Sequence, residues 1–264
     1  MPRESLSEFA NRLQSGGRYT FTKTEAQKAT GLRANAFKIA AWRLQQQKRI
    51  AGLRRGFYVI VPMEYRAAGI LPPDWFVDDL MKFIGQPYYV GLLSAAALHG
   101  AAHQQPQVYC VVTSKPVRVI EAARVKIRFY KKADLQATPT VKVRTFTGDI
   151  PVSNPAATAL DLVAYEKQVG GLDRVMTVLQ ELGESINAET LVQAAEANPQ
   201  LAFVQRLGWL LDKAGFEAVT GKLRDWLGKR GVKPVVLDTA QPAKGFPRDP
   251  KWSVIVNTEV EGDL

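Results

Sequence analysis

The sequence predicts an α+β protein, with an N-terminal winged helix-turn-helix followed by a larger α+β domain whose C-terminal part is helical. Three observations lead there. Apolar residues recur at helical spacing behind capping signals up to about residue 47. A strand, tight turn and strand pattern follows between residues 49 and 61. After Pro72-Pro73, short runs rich in Val, Tyr and Phe give way, from Asn154-Pro155 onward, to helical periodicity. The boundaries that follow are 1–66 for the winged helix and 67–264 for the second domain. The latter divides into α+β at 67–150, mainly helical at 151–231, and closing strands at 232–264.

Each element has a local reason. Ser5-Leu6-Ser7-Glu8 has the capping-box spacing, and Leu6, Phe9, Ala10 and Leu13 continue as a first helix until Gly16-Gly17. Thr24-Glu25-Ala26-Gln27 repeats the capping logic for a second helix, Gly31 supplies the turn, and a third helix runs over 33–47. Helix, short turn with Gly, longer helix is helix-turn-helix order. Residues 49–51 and 57–61 read as strands around a turn containing Arg54-Arg55-Gly56, which would be a basic wing. Further on, helices are expected at 74–84 and 91–102, and strands at 108–113, 125–130 and 141–146. Helices follow at 156–168, 172–182, 188–197, 201–214 and 219–228, and closing strands at 232–237 and 253–256.

Charge separates the chain into zones. Residues 1–66 carry thirteen Lys and Arg against four Asp and Glu, and residues 115–144 carry nine against two, whereas 67–114 and 145–264 are net acidic. On the third helix, 100° steps put Phe37, Ala40, Ala41 and Leu44 on one face. The opposite face carries Asn35, Lys38, Ile39, Trp42 and Gln46, with Arg43 at its edge. Amide and basic side chains there are the types that bond base edges in a major groove. From Arg33 to Arg55 seven cations meet no acid, since none lies between Glu25 and Glu64. A merely solvated face mixes signs, so the pattern fits neutralisation of a phosphate backbone. The expected DNA-binding residues are Asn35, Lys38, Trp42, Arg43, Gln46, Arg49, Arg54 and Arg55. A possible second basic surface is formed by Arg124, Lys126, Arg128, Lys131 and Lys132, whose charges alternate with apolar residues over 125–130; a solvated strand face is the plainer alternative.

Signatures of chemistry are weak elsewhere. His99 and His103 stand four apart, but neither an HExxH glutamate nor a third ligand accompanies them, so no metal is expected. Residues 215–222 miscount as a phosphate-binding loop: five residues separate Gly215 from Gly221, and Leu223 stands where Ser or Thr would hold magnesium. Cys110, the only cysteine, lies in an apolar strand and reads as core; it allows no intramolecular disulfide. Asp78 and Asp79 read as water-facing helix charges. No stretch is apolar enough to span a membrane, and the charged first residues do not resemble a secretory signal, so a cytoplasmic location is expected. No catalytic residue and no cofactor is expected.

The order of features resembles AbiEi antitoxins of abortive-infection systems. The resemblance rests on residues 54–59 (Arg-Arg-Gly-Phe-Tyr-Val), residues 93–100 (Leu-Ser-Ala-Ala-Ala-Leu-His-Gly), Pro151-Val152-Ser153-Asn154-Pro155 before Ala159-Leu160-Asp161-Leu162, and Leu237-Asp238 with residues 252–257. It implies a non-enzymatic protein whose winged helix represses its own operon at inverted repeats in double-stranded DNA, while the second domain counteracts a nucleotidyltransferase-like toxin. The chain itself lacks the Gly-Ser and Asp-x-Asp arrangement such a transferase uses for magnesium and nucleotide. Two other classes stay open: a ligand-sensing winged-helix transcription factor, marked by a deep apolar pocket, and a nuclease or transferase, marked by three or more converging acidic or His side chains.

Overall fold

The computed structural model describes residues 4–101 and 106–262. Helix α1 (Leu6–Ser15) starts at Ser5, whose hydroxyl accepts from the Glu8 amide while the Glu8 carboxylate accepts from the Ser5 amide. Strand β1 (Thr20–Thr22) runs directly into α2 (Lys23–Thr30). The cap of α2 is Thr22 rather than Thr24: Thr22 is still extended, and its hydroxyl accepts from the amide of Glu25, three residues on. Gly31 ends α2 in the left-handed region, at φ 70°. Helix α3 (Ala34–Gln46) is followed by β2 (Ile50–Arg54) and β3 (Phe57–Ile60), joined at Arg55-Gly56 with Gly56 at φ +90°. The three strands form an antiparallel sheet in the order β1-β3-β2. Leu6, Phe9, Phe21, Ala26, Phe37, Ala41, Leu44 and Ile50 close a core between the helices and this sheet. Within it Phe21 stacks on Tyr58 at 5.3 Å.

The predicted helix at 74–84 opens as a single 3-10 turn, Pro73–Trp75, before α4 (Val77–Ile84) begins. Then come β4 (Tyr88–Val90), α5 (Leu92–Leu98), β5 (Tyr109–Thr113), β6 (Ile120–Ala122), β7 (Val125–Lys131), β8 (Thr140–Arg144) and β9 (Asp149–Ser153). They build a mixed six-stranded sheet in the order β6-β7-β5-β4-β9-β8. Strands pair parallel at β5–β7 and β4–β9 and antiparallel elsewhere. Three of these strands, β4, β6 and β9, were not expected from the pattern. The first two are only three residues long, and β9 carries Pro151, which has no amide to give a ladder.

Alternation along the strands gives the sheet two buried faces. Val90, Val111, Ile127, Ile150 and Val152 meet Phe76, Val77, Leu80 and Met81 of the α4 layer. Leu53, Phe57 and Val59 of the first sheet join that same cluster. The hydroxyl of Thr20 donates to Asp79, and the ring of Phe57 lies 5.3 Å from that of Phe83. The expectation that Asp78 and Asp79 face water is therefore corrected. Both are half-buried, because Tyr88 donates to Asp78 at 3.0 Å and Thr20 to Asp79.

On the other face Tyr89, Cys110, Val112 and Tyr130 pack against a helical layer. This comprises α6 (Pro155–Ala164), α7 (Glu166–Val169), α8 (Gly171–Leu182), α9 (Ala188–Glu196), α10 (Leu201–Lys213) and α11 (Glu217–Gly228). The single helix expected at 156–168 is broken at Tyr165, whose backbone leaves the helical region and whose hydroxyl donates to the Lys131 carbonyl. Asn154 caps α6 by accepting from the Ala157 amide, with Pro155 in the first turn. The chain ends in β10 (Val235–Val236), β11 (Arg248–Asp249) and β12 (Val254–Ile255), a small sheet in the order β10-β12-β11. Trp252, between β11 and β12, lies over Gly208 of α10 and donates its indole N–H to Asp212 at 2.6 Å.

Candidate nucleic-acid interface

Helix α3 buries Phe37, Ala41 and Leu44 and leaves Asn35, Lys38, Trp42, Arg43 and Gln46 exposed, as 3.6-residue periodicity requires once the apolar stripe is anchored. Ile39, on the same outer face, is 53% exposed and Trp42 is 59% exposed. Arg54 and Arg55 project at the tip of the β2–β3 hairpin, both exposed. Arg49 is half-buried and donates to the Asn11 side chain at 2.9 Å.

In pairing these cations differ from Arg12 and Arg18. Arg12 is held by Glu4 and Arg18 by Glu25. Arg33, Lys38, Arg43, Lys48, Arg54 and Arg55 have no ion-pair partner among the described residues. With no carboxylate beside them, their field points into solvent. A set of unpaired guanidinium and ammonium groups, interleaved with two carboxamides, can neutralise phosphates and bond base edges.

The second basic zone is dispersed. Lys132 turns inward: its ammonium lies 2.7 Å from Asp161, with the two side chains 14% and 1% exposed. Lys126 pairs with Glu121 at 2.6 Å. Arg124 and Lys131 are exposed, and Arg128 is half-buried on the helix-facing side of β7. The strand alternates as expected, but its second face is partly covered by helices, so the expected stripe including Lys132 does not form one open surface.

A fully buried carboxylate of the second domain is Asp161, which sequence reasoning had only as part of a motif. It accepts from the Tyr89 hydroxyl at 2.6 Å as well as from Lys132, tying α6 to β4 and to the end of β7. Burial, and then the Asp161 charge, hold the Tyr89 phenol well above the usual range. The signal available in sequence was a lone carboxylate in the apolar run 156–164. His99 is spoken for by structure: Nε2 lies 2.7 Å from the Ser153 carbonyl oxygen. His103, its expected neighbour at four residues, lies outside the described residues. Cys110 is buried, and burial pushes its thiol up. Among the described residues no group of three or more His, Cys, Asp or Glu is placed to hold a metal ion. Nor is any helix among them long and apolar enough to cross a membrane.

One cavity of about 520 Å³ opens between the 65–74 connection, α5 and the start of β7. Leu71, Pro72, Leu98 and Val125 form its apolar wall, and Asp74, Tyr109 and Arg124 contribute polar groups. Burial raises the Asp74 carboxyl.

Residues 89–213, from within β4 to the end of α10, match the family model described as the AbiEi antitoxin C-terminal domain. Over that stretch, just under half of the chain, the protein is similar to the AbiEi antitoxin family. The match supports an antitoxin role in a toxin–antitoxin system and suggests a protein that is not an enzyme. The matched stretch contains the Asp161 group, α5 with His99, and the Asn154-Pro155 cap, while α1 to α4 and the first sheet lie outside the match. Among solved structures, the RV2827C protein from Mycobacterium tuberculosis is similar, with a TM-score of 0.68 and 17% identity over 96% of this chain and 92% of that one. At that identity the likeness is one of fold, and it extends over both the matched stretch and the segment before it. No curated protein matches the chain.

Proposed function

We propose that the protein is a cytoplasmic, DNA-binding antitoxin and transcriptional autorepressor. In this reading residues 1–66 form a winged helix-turn-helix that holds a double-stranded operator with inverted repeats, and residues 67–264 counteract a nucleotidyltransferase-like toxin. The observation that carries it is the outer face of α3 together with the hairpin tip: Lys38, Arg43, Arg54 and Arg55, four exposed cations without a carboxylate partner among the described residues, on the same chain as residues that match the AbiEi domain. Asn35, Lys38, Trp42, Arg43 and Gln46 enter the major groove, while Arg49, Arg54 and Arg55 hold backbone or minor groove. The element order α1-β1-α2-α3-β2-β3, with the strands ordered β1-β3-β2, supports that docking.

The test pairs two assays on the full chain: repression of a reporter behind its own promoter, and rescue of growth from a co-expressed nucleotidyltransferase-like toxin. Replacing Lys38, Arg43, Arg54 and Arg55 together by Ala abolishes repression and leaves rescue intact. Retained repression by this variant would remove the cationic face from the account, and a wild-type chain that fails to rescue growth would remove the antitoxin role.

A second reading, a ligand-sensing transcription factor, is favoured by the 520 Å³ cavity, whose size lies in the range of small-molecule sites. A thermal-shift screen of metabolites separates the two: a compound that stabilises wild type but not Leu98→Trp, which fills the cavity, supports sensing.

A further inference from the structure

We infer that Ile39 and Trp42 read thymine methyl groups, so that the duplexes this chain prefers carry thymine beneath the middle of α3. The inference deepens the DNA-binding reading and rests on it.

Electrostatic attraction to phosphates needs only the cations, and base-edge hydrogen bonds need only Asn35, Gln46 and their basic neighbours. Neither explains two large apolar side chains in the centre of the same face. Ile39 and Trp42 are three residues apart, hence adjacent on the helix surface, and are 53% and 59% exposed. The indole N–H of Trp42 is a hydrogen-bond donor, but Ile39 has no polar atom to offer any partner. Its exposed surface gains only from an apolar contact. On the major-groove edges of a duplex, the thymine C5 methyl supplies one.

The surroundings argue against a second copy of the chain as the occupant. Lys38 and Arg43 flank the pair and have no acid partner among the described residues. A self-complementary contact between two such faces would bring like charges together. A polyanion whose groove also offers methyl groups matches both the charge and the apolar centre.

Duplexes are selected by the full chain from a randomised library. The most enriched one is then resynthesised with deoxyuridine in place of every thymine, which removes only the methyl groups. Wild type is expected to bind the uracil duplex about fourfold more weakly for each methyl contacted. Ile39→Ala, a change at an exposed helix position where Ala is well tolerated, is expected to bind the thymine duplex more weakly and to discriminate less between the two duplexes. Trp42→Ala should remove the remaining discrimination. Equal wild-type affinity for the two duplexes overturns the thymine inference while leaving DNA binding intact. So does full discrimination surviving in the Ile39→Ala, Trp42→Ala double variant. Failure of the chain to enrich any duplex overturns the DNA-binding reading itself.

Discussion

Replacing Asp161 by Asn leaves a carboxamide that can still accept from Tyr89 but removes the charge that compensates Lys132. Asp161 is 1% exposed and Lys132 only 14%, so solvent reaches the orphaned ammonium poorly. Removing one member of a buried ion pair costs about 3–5 kcal/mol, and the partial access of Lys132 places the expectation near the lower figure, about 3 kcal/mol. The Tyr89 hydroxyl bond partly survives, so it contributes little to the loss. The assay is urea unfolding followed by tryptophan fluorescence and far-UV circular dichroism, which reads the loss directly, and a thermal melt by the same probes should show Tm lowered by roughly 10 °C. Combining Asp161→Asn with Lys132→Met removes both charges and should recover most of the loss, which makes a double-mutant cycle decisive. A cost under about 1 kcal/mol for Asp161→Asn, or a double variant no more stable than the single one, would refute this account of the ion pair.

Three further outcomes follow from particular contacts. A Cβ on Gly208 would stand 2.3 Å from the buried Trp252 ring, so Gly208→Ala should cost about 1–3 kcal/mol in urea unfolding; a neutral effect would mean that the ring moves freely. Cys110 is buried with its thiol raised, so its thiolate fraction is smaller at any given pH, and native protein should react with a chromogenic disulfide at pH 8 far more slowly than urea-unfolded protein. Equal rates would mean that β5 opens readily. Asn35→Ala or Arg43→Ala should weaken binding to a selected duplex by about 1–3 kcal/mol more than binding to random DNA. Equal losses in gel-shift titrations would make these residues backbone contacts.

Much of this organisation was legible because it is local. The face of α3 follows from 3.6-residue periodicity around Phe37, Ala41 and Leu44, and those three are the buried residues of the helix. Caps announced α1 and α6 through Ser5 and Asn154. What escaped depends on contacts far apart in sequence. Strand β4 is three residues long and is a strand because β5 and β9 flank it. Lys132 reads as one more member of a basic run, and only the fold brings Asp161, twenty-nine residues away, against it. Asp79 likewise looks like a surface charge until Thr20, from the first sheet, donates to it. A periodic pattern can say which face of an element is apolar, but not which distant side chain will meet a polar one.

The most direct test of the DNA-binding claim is the salt dependence of duplex affinity for the full chain and its Arg54→Ala, Arg55→Ala double variant. Binding through phosphate neutralisation makes the logarithm of affinity fall linearly with the logarithm of salt, by about 0.9 for each phosphate contacted. The account predicts a steep slope for wild type, reduced in magnitude by about two in the double variant, with folding unchanged because both side chains are exposed and unpaired among the described residues. Wild-type binding that ignores salt, or the same slope in both proteins, would contradict it.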